Sequence, residues 1–137
     1  MSTIKQGEVF EHEFQFTQEQ VAEFAKVTGD NNPVHLDAEY AAGTKFKKPI
    51  VHGMLGAAVF SRVFGTMFPG EGTIYLGQTL DFKRPMLVDT DYVAVFEVLE
   101  VDEAKHTATV KAEIKTTGAR QKVLMDGTAK LLNELRF

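Results

Sequence analysis

Cysteine is absent from this 137-residue chain. No disulfide and no thiolate-metal site can form, and such a composition suits a cytoplasmic or organelle-matrix setting. An excess of positive charge is missing too. The formal net charge of −4 argues against a general nucleic-acid binder. No apolar run reaches membrane-spanning length, and the N-terminus carries no apolar signal core, so no membrane partner is expected. Repeats, linkers and low-complexity segments are also lacking, so residues 1–137 read as a single domain. What the chain does have is apolar bulk, including 11 phenylalanines, enough for a sizeable core.

The pattern along the chain predicts α+β. Glu8 to Phe16 alternates, with Phe10, His12, Phe14 and Phe16 on one side, as in a half-buried strand. His12 is assigned no role. Thr17 then caps a helix, with Gln20 completing a capping box. Val21, Phe24, Ala25 and Thr28 form its inner stripe, and Gly29 ends it. Asp37 caps a short helix running toward Gly43. From His52 to Phe68 runs a long apolar stretch, read as a buried helix and stopped by Pro69-Gly70. Ser61 is its polar interruption. The remainder reads as strand: Thr73 to Phe82, then Asp91 to Val101, apolar on both faces and so central. His106 to Lys115 alternates, with Ala108, Val110, Ala112 and Ile114 inward. Gln121 to Leu132 is expected to close the sheet. His106 falls on a turn and is expected at the surface.

Chemistry concentrates in Thr28-Gly29-Asp30-Asn31-Asn32-Pro33-Val34-His35. Pro33 disfavours helix at Asn32, so Asp30 and His35 cannot share one helical face. A rigid loop can instead aim both into one cleft. The plainer alternative is that Asp30 caps a turn and His35 is a structural histidine. A second stretch, Lys48-Pro49-Ile50-Val51-His52-Gly53-Met54-Leu55, adds another imidazole next to a glycine at the start of the long helix. Lys45, Lys47 and Lys48 flank Phe46. They make either a solvated loop or an attraction for an anionic carrier such as the phosphates of coenzyme A.

Taken together, these segments resemble the MaoC-like dehydratase family, most closely its (R)-specific enoyl-CoA hydratases. The family pattern G-D-x-N-P-[aliphatic]-H-x-[DN] is met by Gly29, Asp30, Asn32, Pro33, Val34, His35 and Asp37. Its P-I-V-H-G-M is met by Pro49 to Met54, and a third match runs from Tyr75 to Phe82. The likeness extends from about Phe16 to near the C-terminus. It implies a hot-dog fold, in which an antiparallel sheet wraps a long central helix, and a homodimer.

The reaction implied is reversible hydration of a trans-2-enoyl-CoA to an (R)-3-hydroxyacyl-CoA, a hydro-lyase activity. Asp30 holds the position that accepts a proton from water. His35 can donate one to C2. The backbone N–H of Gly53 is suited to the developing thioester oxyanion, and a glycine there admits the thioester closely. Asn32 and Ser61 match supporting polar positions. His52 is placed at the approach to the oxyanion site. Phe64, three residues beyond Ser61, is a candidate floor of the acyl pocket, which implies short chains of roughly C4 to C6.

No cofactor is expected, coenzyme A being part of the substrate. A metal site of Asp30, His35 and His52 is chemically conceivable but set aside, because the same segments match a metal-free family. Implied roles are fatty-acid oxidation or supply of (R)-3-hydroxyacyl-CoA for polyhydroxyalkanoate synthesis. Two alternatives stay open. One is a 3-hydroxyacyl thioester dehydratase of fatty-acid synthesis using acyl carrier protein. The other is a non-catalytic hot-dog module that binds acyl thioesters or a protein partner, against which the intact Asp30/His35 pair argues. A thioesterase could share the fold but would not need the Asn-Pro loop.

Overall fold

A computed structural model describes residues 2–137. Strand β1, Val9–Phe14, is followed by helix α1, Gln18–Thr28, the short helices α2, Pro33–Leu36, and α3, Ala38–Ala42, and the long helix α4, Gly53–Thr66. The rest is strand: β2 (Ile74–Gln78), β3 (Asp81–Phe82), β4 (Tyr92–Asp102), β5 (Thr107–Thr116) and β6 (Val123–Leu132). All pairings are antiparallel in a six-stranded sheet of order β1-β4-β5-β6-β2, with β3 also on β6.

The caps explain the helix limits. Thr17 and Gln20 form the reciprocal capping box of α1, and Gly29 ends it at φ 79°, a left-handed conformation that glycine adopts without a Cβ clash. The Asp37 side chain accepts from the N–H groups of Glu39 and Tyr40 at the start of α3.

The sheet wraps one face of α4. Phe60 and Phe64 meet Phe96 of β4 edge-on, at ring-centroid distances of 5.7 and 5.1 Å. On β5, Ala108, Val110, Ala112 and Ile114 all face the core, as the alternation predicts. β4 lies between β1 and β5 and is buried chiefly in its first half, at Tyr92, Val93, Ala94, Phe96 and Val98, in keeping with its run of apolar residues. This is the hot-dog arrangement.

Three expectations need correction. The segment from Thr73 to Phe82 is not one strand; it breaks between Gln78 and Asp81. Thr79 leans onto β6 there, and a Cβ on Gly127 would lie 1.7 Å from the Thr79 carbonyl oxygen, so only glycine permits the approach. The last strand does not close the sheet, because β2 and β3 lie outside it. Finally, His35 lies not on a loop but on the one-turn helix α2. As expected for a single sheet, α4 keeps one open face within one chain: Met54, Ala58, Ser61, Arg62 and Gly65 are exposed, spaced along one helical face. His106 does sit in a turn, but half-buried, with Nδ1 donating to the Phe137 carbonyl oxygen at 2.7 Å.

Candidate active site

A cleft of about 730 Å³ opens where the α1–α2 loop, the start of α4 and the segment after β3 meet; Asp30, His35, His52 and Gly53 line it. The loop is built from local bonds. Thr28 donates through its hydroxyl to the Phe24 carbonyl, and the same oxygen accepts from the Asp30 N–H. Asn32 caps α2, its side chain accepting from the Val34 N–H at 3.2 Å, with Pro33 in the first turn, where a missing N–H costs nothing. The Gln18 side chain reaches across from α1 to donate to the His35 carbonyl at 2.9 Å.

Each histidine is oriented by a carbonyl. His35 donates from Nδ1 to the Ile50 carbonyl at 2.8 Å. A carbonyl can only accept, so Nδ1 carries a proton and Nε2 is left as the exchanging atom. His52, 2% exposed, donates from Nε2 to the Asp30 backbone carbonyl at 2.8 Å. Its other nitrogen, Nδ1, is buried with no hydrogen-bond partner. Phe24 packs on the His52 ring at 4.8 Å. One ligand-capable atom from each of Asp30, His35 and His52 lies within 4.8 Å of the others.

Gly53 begins α4, with His52 as its N-cap providing no side-chain cap. Among the described residues no acceptor takes the Gly53 N–H. It is one of the donors that a helix start leaves free, at the positive end of the helix dipole. A Cβ on Gly53 would lie 2.7 and 2.8 Å from two ring carbons of Phe82.

The structure therefore brings together Asp30, His35, His52 and Gly53. Asn32 sits beside them as a helix cap rather than in the cleft wall. Ser61 is exposed on the open face of α4, and Phe64, 1% exposed, packs between Phe96 and Tyr75. Neither lines the cleft within one chain. Of the three lysines, only Lys45 lines it. Residues the sequence reading did not single out include Ile50 and Gln18, which orient His35, and the buried floor of Met86, Leu124 and Met125. Ile50 and Gln18 act through a carbonyl contact and a side-chain amide between distant segments, which no local pattern reveals.

The MaoC like domain matches residues 1–120 of the chain. This chain belongs to the MaoC-like dehydratase family. Among its relatives, an (R)-specific enoyl-CoA hydratase of Aeromonas caviae is 46% identical over 82% of this chain and 84% of its own length. A mitochondrial 3-hydroxyacyl-[acyl-carrier-protein] dehydratase of Solanum lycopersicum is 32% identical over 92% of this chain and 75% of its own length. The solved structure of an (R)-hydratase from A. caviae involved in PHA biosynthesis superposes with a TM-score of 0.89 at 40% identity, covering 95% of this chain and 97% of that one. The MaoC-like motifs around Asp30, His35 and Gly53 are the ones that meet at the cleft.

Proposed function

We propose that this protein is an (R)-specific enoyl-CoA hydratase, a hydro-lyase that adds water reversibly across trans-2-enoyl-CoA. The observation that carries this reading is the convergence of the Asp30 carboxylate, the His35 imidazole and the unpaired Gly53 N–H on one cleft. Water attacks C3 while Asp30 takes its proton. Charge moves through the double bond onto the thioester oxygen, where the Gly53 N–H supplies a preplaced donor. His35, carrying its second proton on Nε2, delivers that proton to C2. The proton left on Asp30 then returns to His35, which lies within 4.8 Å, and the pair is reset. Dehydration is the same sequence reversed.

His52 belongs in this scheme as the group that holds the Asp30 segment. The scheme uses no metal. His52 Nε2 and His35 Nδ1 each donate to a backbone carbonyl, which fixes both rings beside Asp30.

The open face of α4 and the outer edge of β2, where Ile74 is 55% and Leu76 51% exposed, support a homodimer in which a second copy covers them. Acyl carrier protein as the carrier is the second reading, favoured by the dehydratase relative of Solanum lycopersicum.

The test is loss of the enoyl-thioester absorbance band with crotonyl-CoA, followed by chiral analysis of the product. Hydration to the (R)-alcohol is expected. No turnover with crotonyl-CoA or a longer enoyl-CoA would overturn the assignment.

A further inference from the structure

We propose that Lys45 and Arg84 form a phosphate-binding rim at the mouth of the cleft and select coenzyme A as the thioester carrier; this rests on the hydratase reading. The cleft lining divides by exposure. Val51, His52, Met86, Leu124 and Met125 are buried and form its floor, whereas Asp30, Lys45, Gly53, Met54, Phe82, Lys83, Arg84 and Pro85 are exposed at its opening. Three cations thus stand at the mouth, while Asp30 is the only carboxylate among the lining residues. In a chain of net charge −4 that cluster runs against the overall charge.

The three cations are not equivalent. Lys83 Nζ lies 2.8 Å from the Asp126 carboxylate, and that hydrogen bond and charge raise its pKa. Its charge is answered within the protein. Lys45 and Arg84 have no carboxylate within ion-pair distance among the described residues. Both sit on anchored stretches of backbone. The N–H groups of Lys83 and Arg84 both donate to the Leu124 carbonyl, at 2.7 and 3.1 Å, which pins this segment to β6. Lys45 Nζ sits 5.3 Å from the Phe46 ring centroid, and the Phe46 N–H donates to the Thr44 hydroxyl at 3.2 Å. Two uncompensated cations, from separate segments, therefore flank an opening that Met54, Phe82 and Pro85 also line.

That sequence of environments fits the carrier. The thioester carbon must reach Asp30 and His35, a neutral amide arm suits the apolar mouth, and phosphates at the far end of the arm meet the free cations. Arginine offers a planar fork for phosphate and lysine a point charge. Because the cations line the cleft itself rather than a flat face beside it, a small polyanion entering the mouth fits them better than an acidic protein surface.

The experiment compares crotonyl-CoA with crotonyl-pantetheine, which lacks the nucleotide phosphates, in the wild type and in Lys45→Ala, Arg84→Ala and the double variant. Lys105→Ala, a cation on the β4–β5 turn, controls for net charge. The double variant should raise KM for crotonyl-CoA about tenfold, as expected for two exposed charge-assisted contacts. Turnover at saturation and kinetics with crotonyl-pantetheine should stay within twofold. Added salt should raise KM for crotonyl-CoA in the wild type and much less in the double variant. Equal effects on both substrates, or an unchanged KM for crotonyl-CoA, would overturn the rim. So would a KM effect confined to crotonyl-acyl carrier protein. Calorimetric binding of free coenzyme A keeps the two readings apart. If no thioester is turned over, the hydratase reading fails, yet coenzyme A binding that is lost in the double variant still upholds the rim, and binding that is unchanged refutes it.

Discussion

The imidazole rings of His35 and His52 stack with their centroids 4.0 Å apart and their planes 28° apart. One ring belongs to α2, next to the loop that carries Asp30, the other to the N-cap of the long helix. His52 also donates to the Asp30 carbonyl, so a single buried side chain braces both members of the pair. Replacing His52 with Phe keeps the ring and removes the donor, leaving the Asp30 carbonyl unpaired at a cost of about 1–3 kcal/mol. We expect kcat to fall about tenfold or more with KM little changed. His52→Gln, which can donate through its side-chain amide, should recover part of kcat. Full kcat in the folded Phe variant would show that the bond to Asp30 positions nothing.

Asp30 and His35 should separate in stability though not in activity. Neither is a core residue, and no bond to the Asp30 carboxylate is present among the described residues, so Asp30→Asn should shift stability by only about 0.5 kcal/mol. His35→Ala frees the Ile50 carbonyl and should cost about 1–3 kcal/mol. Both should lower hydratase turnover by about 10²–10⁴-fold. Denaturant melts and steady-state rates on the same preparations decide the matter. A folded variant at near-normal turnover would remove that residue from the chemistry. Dialysis against a strong chelator should leave the wild-type rate unchanged, and a loss restored by zinc or manganese would revive a metal at Asp30, His35 and His52.

Much of this was legible in the sequence where the cause is local. Thr17, Gln20 and Gly29 mark α1 because caps are chemical requirements of a helix end. The inward set from Ala108 to Ile114 follows from a period of two, and the end of α1 follows from Gly29, but Pro33 opens the one-turn helix α2 that carries His35 where a loop was expected. Where the cause is distant, the pattern was silent or misleading. Thr73 to Phe82 alternates as one strand, yet it breaks because Gly127, nearly fifty residues away, lets Thr79 come close. Ser61 reads as an anomaly inside a buried helix only until the open face of α4 is seen. Phe64 and Ser61 share a helical neighbourhood, but their depths differ because the sheet covers one side of the helix and not the other.

Gly53 is open to a double test. A methyl there would press on the Phe82 ring at 2.7 Å, but Phe82 is 55% exposed and its ring can swing away. Gly53→Ala should therefore lose little stability. It should nonetheless lower turnover, since a thioester bonded to the Gly53 N–H would pack beside the added Cβ. Adding Phe82→Ala should relieve the protein crowding without restoring the rate. Recovery of full turnover in the double variant would mean that the glycine matters for Phe82 alone.

His12 sets an expectation for acid. It lies on β1 with Nε2 buried and without a partner. Burial, and secondarily the Arg62 charge, lower its pKa from the ordinary 6.5. The folded state thus binds this proton less readily than the unfolded chain does, so stability falls as pH drops below about 6.5 and reaches its full loss below the folded value. His12→Phe, which keeps a ring beside Phe14, removes that contribution. The variant should gain stability relative to the wild type at pH 5 more than at pH 8, read from denaturant midpoints. Equal differences at the two pH values would show that His12 does not drive the acid sensitivity.

Phe64 bears on chain length. Within one chain it is not a cleft wall; its ring meets Phe96 at 5.1 Å and Tyr75 at 5.3 Å. Tyr75, however, lies on the outer strand and is 37% exposed, and Ser61 one turn away faces the open side of α4. Removing the Phe64 ring would thus leave a hole beside the open face rather than one sealed in the centre of the core. For this ring to limit acyl length, the chain must run along α4 past the cleft floor of Met86 and Met125. Phe64→Ala should cost about 3–5 kcal/mol as a large-to-small core change while raising relative activity toward enoyl-CoAs longer than the crotonyl group. Rates across a series of chain lengths, measured below the variant's melting temperature, provide the check. Lower stability with an unchanged chain-length profile would confine Phe64 to packing and leave the cleft floor, Met86 and Met125, as the limit.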